Sequence, residues 1–417
     1  MPKRRLMGCS FPVAIGVIVL LLAMFVVGFL AGPLGKSIVP DVQLPGWLSV
    51  SSPHVALPAD AVFHVFGFPI TNSIIATWIT MAVLVGVSYA VSRRMKLIPG
   101  RLQMALEFLL GWLYDFCKSA AGDENGRRFF PLVTTIFLFV MFNAWLALVP
   151  GYGSIPFIGE VEATGTASSP GIASGHVKIV KDGTEHLEVH DTDVLVLTKG
   201  THELEHAIVH SAAVITEEHD EYTADLCREN EIPCVTGAEH ATTHLEAGGI
   251  VSVDGSKGTV SKVGHLIRPA NTDINTPLAI ALISVFMTFV YGFKAFGFKY
   301  AGKFFNFGTL IKGTVLLVKG KFGTGITTVI TGIVEAFVGL LELLSEFIHI
   351  VSFTFRLFGN MTAGEILLLV ALFLIPWLFA LPFYGLELLI GFLQALIFAG
   401  LTLIFLTLAV SHHDEAE

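Results

Sequence analysis

A guanidinium stands in the middle of the longest apolar stretch of this chain. Residues 326–411 are almost continuously hydrophobic, and Arg356 interrupts them inside the run Phe355-Arg356-Leu357-Phe358-Gly359-Asn360-Met361-Thr362-Ala363-Gly364-Glu365. Arginine stays charged at physiological pH, so holding it at membrane depth is costly. A chain that keeps such a residue has it act on another charge. Glu365 and Glu387 lie in the same apolar region, and a carboxylate, unlike arginine, can lower its burial cost by taking up a proton. An obligate cation among protonatable acids points to a proton path.

With 53% of residues hydrophobic and 14% charged, the chain reads as a polytopic all-α membrane protein. Segments able to cross about 30 Å of hydrocarbon run near 12–30, 70–91, 130–149 and 277–297, ahead of the region 326–411. Pro376 and Pro382 break that last region, which predicts two long helices joined near them. Residues 100–120 mix apolar and polar positions at helical spacing, as expected of a helix on the cytoplasmic surface. Basic clusters set the orientation: Lys3-Arg4-Arg5, Arg93-Arg94 with Lys96, Arg127-Arg128, and Lys294, Lys299 and Lys303 fall on one side. Residues 36–69 and 150–276 are then exoplasmic, and 92–129, 298–325 and the C-terminus cytoplasmic. Residues 1–35 read either as a transmembrane segment or as a signal peptide. Cys9, ahead of the apolar core, is an ordinary residue.

Residues 160–265 differ from everything around them. They hold 19 of the 34 acidic residues and ten of the 15 histidines, with no apolar span, and should form a soluble exoplasmic domain. The β-like runs Val177–Val180, Val194–Leu197, Ala213–Thr216 and Ile250–Val253 alternate with helix-like ones, the pattern of an α/β fold. The expected domains are therefore 1–35, a membrane part at 36–159, the insert at 160–265, and a second membrane part at 266–417.

The string Arg356-Leu357-Phe358-Gly359-Asn360-Met361, then Ala363-Gly364-Glu365, then Gln394-Ala395 with Phe398, resembles subunit a of F-type ATP synthases. Asn143 with Leu148-Val149-Pro150-Gly151, and Asp273-Ile274-Asn275 with Leu278, extend the resemblance upstream. It implies a stator in a bacterial cell membrane that conducts ions past the carboxylates of a rotor c-ring, with a subunit b peripheral stalk, the other synthase subunits and lipids as partners. It implies neither a cofactor nor a nucleic-acid partner, and no catalytic site of the chain's own. By the same resemblance Arg356 faces the rotor acid and blocks leakage between two half-channels, while Glu365 and Glu387 hand protons to the rotor from the exoplasmic side. Two such carboxylates, if close, would share a proton.

Helical geometry adds that Arg356 and Asn360, four apart, share a face, and that Glu365 points to roughly the opposite side. Asn360 and Gln394 either orient the guanidinium or bridge helices by hydrogen bonds. Ser352 either lines the channel or bonds its own backbone. Glu342, Glu346 and His349, with Asn143, either mark a channel entrance or, for the first three, the end of an interfacial helix.

Within the insert, Asp193-Val194-Leu195-Val196, Ala213-Val214-Ile215-Thr216-Glu217, Glu231-Ile232-Pro233-Cys234-Val235-Thr236-Gly237 and Val253-Asp254-Gly255-Ser256-Lys257-Gly258-Thr259-Val260 resemble the swivelling phosphohistidine domain of phosphoenolpyruvate-utilising enzymes. Tyr222 stands where that family has its phosphorylated histidine, so the resemblance implies a structural or assembly module. His202, His206 and His210 recur every four residues, as do His240 and His244. No framework of other ligands surrounds them, so solvated helix faces explain them better than a metal does. Cys227 and Cys234 are on the presumed oxidising side, Cys117 on the reducing side, and spacing alone does not pair the former two. Two competing classes are a secondary ion transporter, which would need inverted repeats or paired broken helices, and a membrane-anchored phosphotransfer protein, which would need a competent histidine.

Overall fold

A computed structural model describes residues 5–6, 9–39, 59–93, 95–96, 99–180, 189–302, 304, 307–319, 322–376 and 378–411. Lys3, Arg4, Arg94 and Lys303 of the basic clusters, and the C-terminus from 412 on, lie outside the described residues. A short hairpin, β1 (Arg5–Leu6) and β2 (Cys9–Ser10), precedes helices α1 (Phe11–Ala31) and α2 (Pro33–Ile38). A second hairpin, β3 (Ala61–Val65) and β4 (Phe68–Thr71), leads into α3 (Asn72–Arg93). The chain forms two compact units, one of Met1–Ile75, Pro150–Arg268 and Glu365–Tyr384, the other of Ala76–Val149, Pro269–Gly364 and Gly385–Glu417.

The second unit is helical. The run α4 (Arg101–Ala147) is broken at Gly122, whose φ of 79° and ψ of 173° reverse the chain. Only glycine adopts that φ without strain. The two halves fold back on each other, with Tyr114 edge-on to Phe130 at 5.3 Å and Lys118 paired with Asp123 at 2.7 Å. Both expected segments, the 100–120 helix and the 130–149 span, are therefore present. The first is more than a surface helix, because Leu113 and Cys117 are fully buried in the core.

That core is completed by α8 (Asn275–Phe296), α11 (Phe322–Leu374) and α12 (Leu381–Ser411). Phe137 and Val140 of α4, Ala281 of α8, Phe353 and Leu357 of α11, and Ala395, Leu403 and Leu406 of α12 meet there. Two shorter helices, α9 (Lys299–Gly302) and α10 (Gly308–Val318), connect α8 to α11. The two long C-terminal helices end and begin where Pro376 and Pro382 cannot sustain one continuous helix. Among the described residues five helices, α3, α4, α8, α11 and α12, are long and apolar enough to cross a membrane.

The first unit is built on an eight-stranded sheet in the order β5-β12-β11-β7-β8-β9-β10-β6. Its strands are β5 (Pro156–Thr164), β6 (Thr166–Ser169), β7 (Ile172–Val180), β8 (Asp193–Leu197), β9 (Ala213–Thr216), β10 (Cys234–Thr236), β11 (Ile250–Asp254) and β12 (Thr259–His265). Strands β7 to β10 pair in parallel and the outer ones antiparallel. All four expected runs are strands, and α/β is the fold. Alternation along β8 and β9 sends Val194, Val196, Ala213 and Ile215 to one core and Leu195, Leu197 and Val214 to the other. Helices α5 (Glu205–Val209) and α6 (Glu221–Glu229) cover the second of these with Ala207, Ile208 and Cys227. The short α7 (Ala241–His244) and Leu245 cover the first.

Candidate functional site

The face of α11 turned inward is apolar: Phe353, Leu357 and Met361 are buried in the core, with Thr354 donating to its own Ile350 carbonyl at 2.8 Å. The opposite face is uncovered, and Ser352, Phe355, Arg356, Gly359 and Asn360 lie on it in an i, i+4 stripe. The Arg356 guanidinium stands 5.9 Å over the Phe353 ring, and no hydrogen bond or ion pair of Arg356 occurs among the described residues. Neither Asn360 nor Gln394 is hydrogen-bonded to it. Gln394 instead sits in the buried face of α12 at 9% exposure. Ser352 makes no bond to its own backbone of the kind Thr354 makes.

Glu387 is also on the buried face of α12, at 7% exposure, and its carboxyl is seated against Gly364 of α11. Beside it, Trp145 Nε1 donates to the Leu388 carbonyl at 3.1 Å, and Ala144 packs on Gly391. Those contacts bring the end of α4 to Glu387. Asn143, at 2% exposure, accepts from Thr80 Oγ1 at 2.7 Å, and Asn271 donates to the Val140 carbonyl at 3.4 Å. Glu387 Oε2, Asn143 Nδ2, Asn271 Oδ1 and Thr362 Oγ1 are buried with no hydrogen-bond partner among the described residues. Buried polar atoms rarely stay unpaired, so each of these four is an exception to the usual pairing.

Farther along α11, Glu342, Glu346 and His349 line one cavity of about 160 Å³ with Tyr300 and Thr288. His349 Nδ1 is 3.7 Å from Glu346 Oε2, and its ring packs on Phe405 at 4.3 Å. Tyr300 is missing from the sequence-based set. Its hydroxyl is buried without a hydrogen-bond partner among the described residues, and burial, together with Glu346 and Glu342, pushes its pKa up to about 12. Nothing in the local sequence marks it, since only the packing of α9 against α8 aims the ring inward.

Glu365 belongs to the other unit. Its Oε2 lies 3.9 Å from Nη2 of Arg268, which is 8% exposed. Arg268 follows the last strand of the sheet and is likewise absent from the sequence-based set.

In the insert, Tyr222 lies in the first turn of α6 with its hydroxyl 3.4 Å from Glu205 Oε2 and its ring 4.5 Å from His202. His206 and His210 rings are 4.5 Å apart, as expected of i, i+4 neighbours, and His240 and His244 are 5.9 Å apart. No group of three or more potential ligands converges among the described residues. Cys227 and Cys234 are both fully buried as free thiols.

Comparison with known proteins matches residues 74–182 and 250–407 to the family described as ATP synthase A chain, and 189–258 to the mobile domain of PEP-utilising enzymes. ATP synthase subunit a of Gloeobacter violaceus is 23% identical over 344 residues, which are 82% of this chain and 85% of that protein. The corresponding subunit of Nitratidesulfovibrio vulgaris is 44% identical over 75 residues, 18% of this chain and 32% of that protein. The phosphoenolpyruvate synthase of Pyrococcus furiosus is 38% identical over 105 residues, 25% of this chain. The match spans only 13% of that enzyme's length.

Proposed function

This chain belongs to the ATP synthase A chain family, and from that premise we propose that it is the stator subunit that leads protons to and from a rotor ring of carboxylates. The observation that carries this reading is the uncovered stripe of α11, where Arg356 stands with Ser352 and Asn360 and meets no counter-charge among the described residues. A guanidinium left facing outward from a membrane helix needs a partner's carboxylate. A rotor carboxylate brought within about 4–6 Å of it is favoured in its ionised form and gives up its proton. Arginine cannot relay that proton onward, so it separates two water paths.

On this reading Glu387 and Asn143 lie on the exoplasmic half-channel, as does Glu365. The Glu342, Glu346 and His349 cavity is the cytoplasmic mouth, and Gln394 holds the interior of α12. The membrane parts at 36–159 and 266–417 flank an exoplasmic insert at 160–265 that folds like a swivelling domain but serves as a structural module. Helices α11 and α12 tilt across the bilayer against the c-ring, subunit b joins as peripheral stalk, and the C-terminus is cytoplasmic.

Proton conduction by the reconstituted complex tests this directly. Arg356→Ala and Glu387→Gln should abolish or sharply lower coupled transport while the complex still assembles. Unchanged coupling in Arg356→Ala would overturn the reading.

A further inference from the structure

Seven residues apart in sequence, Cys227 and Cys234 end up side by side. Cys227 lies in the last turn of α6 and Cys234 opens β10, and both are completely buried in the same apolar cluster under α6. The turn between them is tight, since the Ile232 amide donates to the Cys227 carbonyl at 2.9 Å. Ser169 touches both ends: it is the register partner of Cys234 across β10 and β6, and its hydroxyl donates to the Cys227 carbonyl at 3.4 Å. The neighbouring Cys227 thiol, together with burial, pushes the Cys234 thiol well above its ordinary range.

We propose that Cys227 and Cys234 form an intramolecular disulfide that fastens the end of α6 to the sheet. The proposal rests on the exoplasmic placement of the insert, because thiols persist as such in a reducing compartment and are oxidised outside it. The chemistry is thiol–disulfide exchange. The thiolate of one cysteine attacks a sulfur of an exoplasmic disulfide, of a protein or a small molecule, and one oxidant sulfur leaves as a thiolate. The second cysteine then displaces the other oxidant sulfur from the mixed disulfide. Two protons leave Cys227 and Cys234, and two electrons pass to the oxidant, which departs as its dithiol. Both sulfurs are sealed in the folded domain and Cys234 resists ionisation there, so the exchange precedes the docking of α6.

The test uses the full chain in its own membrane. Proteins are denatured in excess alkylating agent with and without prior reduction, and the peptides carrying Cys227 and Cys234 are weighed, with the buried Cys117 as the reduced reference. In parallel, protease added outside sealed cells reports on which side the insert lies. The expected result is that Cys227 and Cys234 take up label only after reduction, while Cys117 takes it up in both samples. A Cys227→Ser variant should leave Cys234 labelled without reduction. Free thiols in an insert that the protease reaches would overturn the disulfide alone. Free thiols in an insert that it cannot reach would overturn the disulfide and the exoplasmic placement together.

Discussion

Gly364 on α11 leaves the space that the carboxyl group of Glu387 on α12 occupies: a methyl group built there would collide with Cδ and both carboxyl oxygens. The close approach puts the acid against bare backbone. Gly364→Ala is therefore expected to displace the Glu387 head group by roughly an ångström while leaving α11 helical, since alanine favours the helix. Displacements of that size cost reactive sites about tenfold to a hundredfold, so proton conduction should fall within that range with assembly retained. Conduction rates of reconstituted complex carrying Gly364→Ala check this, and a rate equal to wild type would show that Glu387 tolerates the move.

Arg356 stands over the Phe353 ring on the uncovered side of α11, with no ion pair among the described residues. Truncating it should change the stability of the isolated chain by no more than about 0.5 kcal/mol, as for surface positions generally. Coupled ATP synthesis should be lost all the same. Arg356→Lys should fail as well, because an ammonium is a compact charge that can release its proton in a low-dielectric setting. Melting curves in detergent, set beside ATP-driven proton pumping, separate the two effects. A large loss of stability would place Arg356 in the fold rather than at the rotor.

Much of this organisation is visible in the residues themselves. Helices α11 and α12 follow from an apolar run that Pro376 and Pro382 divide, and β7, β8, β9 and β11 from runs of β-branched residues dense enough to be buried on both faces. The outer strands are hidden because β5 alternates glycine and glutamate with its apolar positions, and β6 is made of threonine, alanine and serine. Those sequences pair only because β12 and β10 present edges to them. The chain reversal at Gly122 is likewise silent, since an isolated glycine in a helical pattern gives no sign that φ is positive. Of the candidate site, the charged residues stand out in the sequence and their surroundings do not. Arg268 beside Glu365 and Tyr300 beside Glu346 come from distant segments, and local periodicity carries no information about such meetings.

The pairing of Arg268 with Glu365 at 3.9 Å predicts coupling between them. Arg268 is buried, and its charge favours a carboxylate over a neutral amide at position 365. Arg268→Gln should lower conduction, and Arg268→Lys, which keeps the charge, should restore a good part of it. In a double-mutant cycle with Glu365→Gln, the logarithms of the rates should depart from additivity by about 0.5–3 kcal/mol. Additive effects would mean that Arg268 serves only the packing next to the sheet.

Asp254 closes the turn between β11 and β12, and its charge should make the insert sensitive to acid. Its Oδ1 accepts from the Ser256 and Lys257 amides, each at 3.1 Å, and its Oδ2 lies 3.2 Å from the Lys257 ammonium. Burial pushes the carboxyl up, but the Lys257 contacts and the Ser256 amide outweigh it and hold the group below its ordinary value of 3.8. A carboxylate depressed on folding adds stability above the unfolded value and loses it as the pH falls through the folded one. Asp254→Asn should therefore lower the protection of β11 and β12 against hydrogen exchange near neutral pH, and the difference from wild type should shrink below about pH 4. A difference that stays constant through that range would assign the turn's stability to its backbone geometry instead of the charge on Asp254.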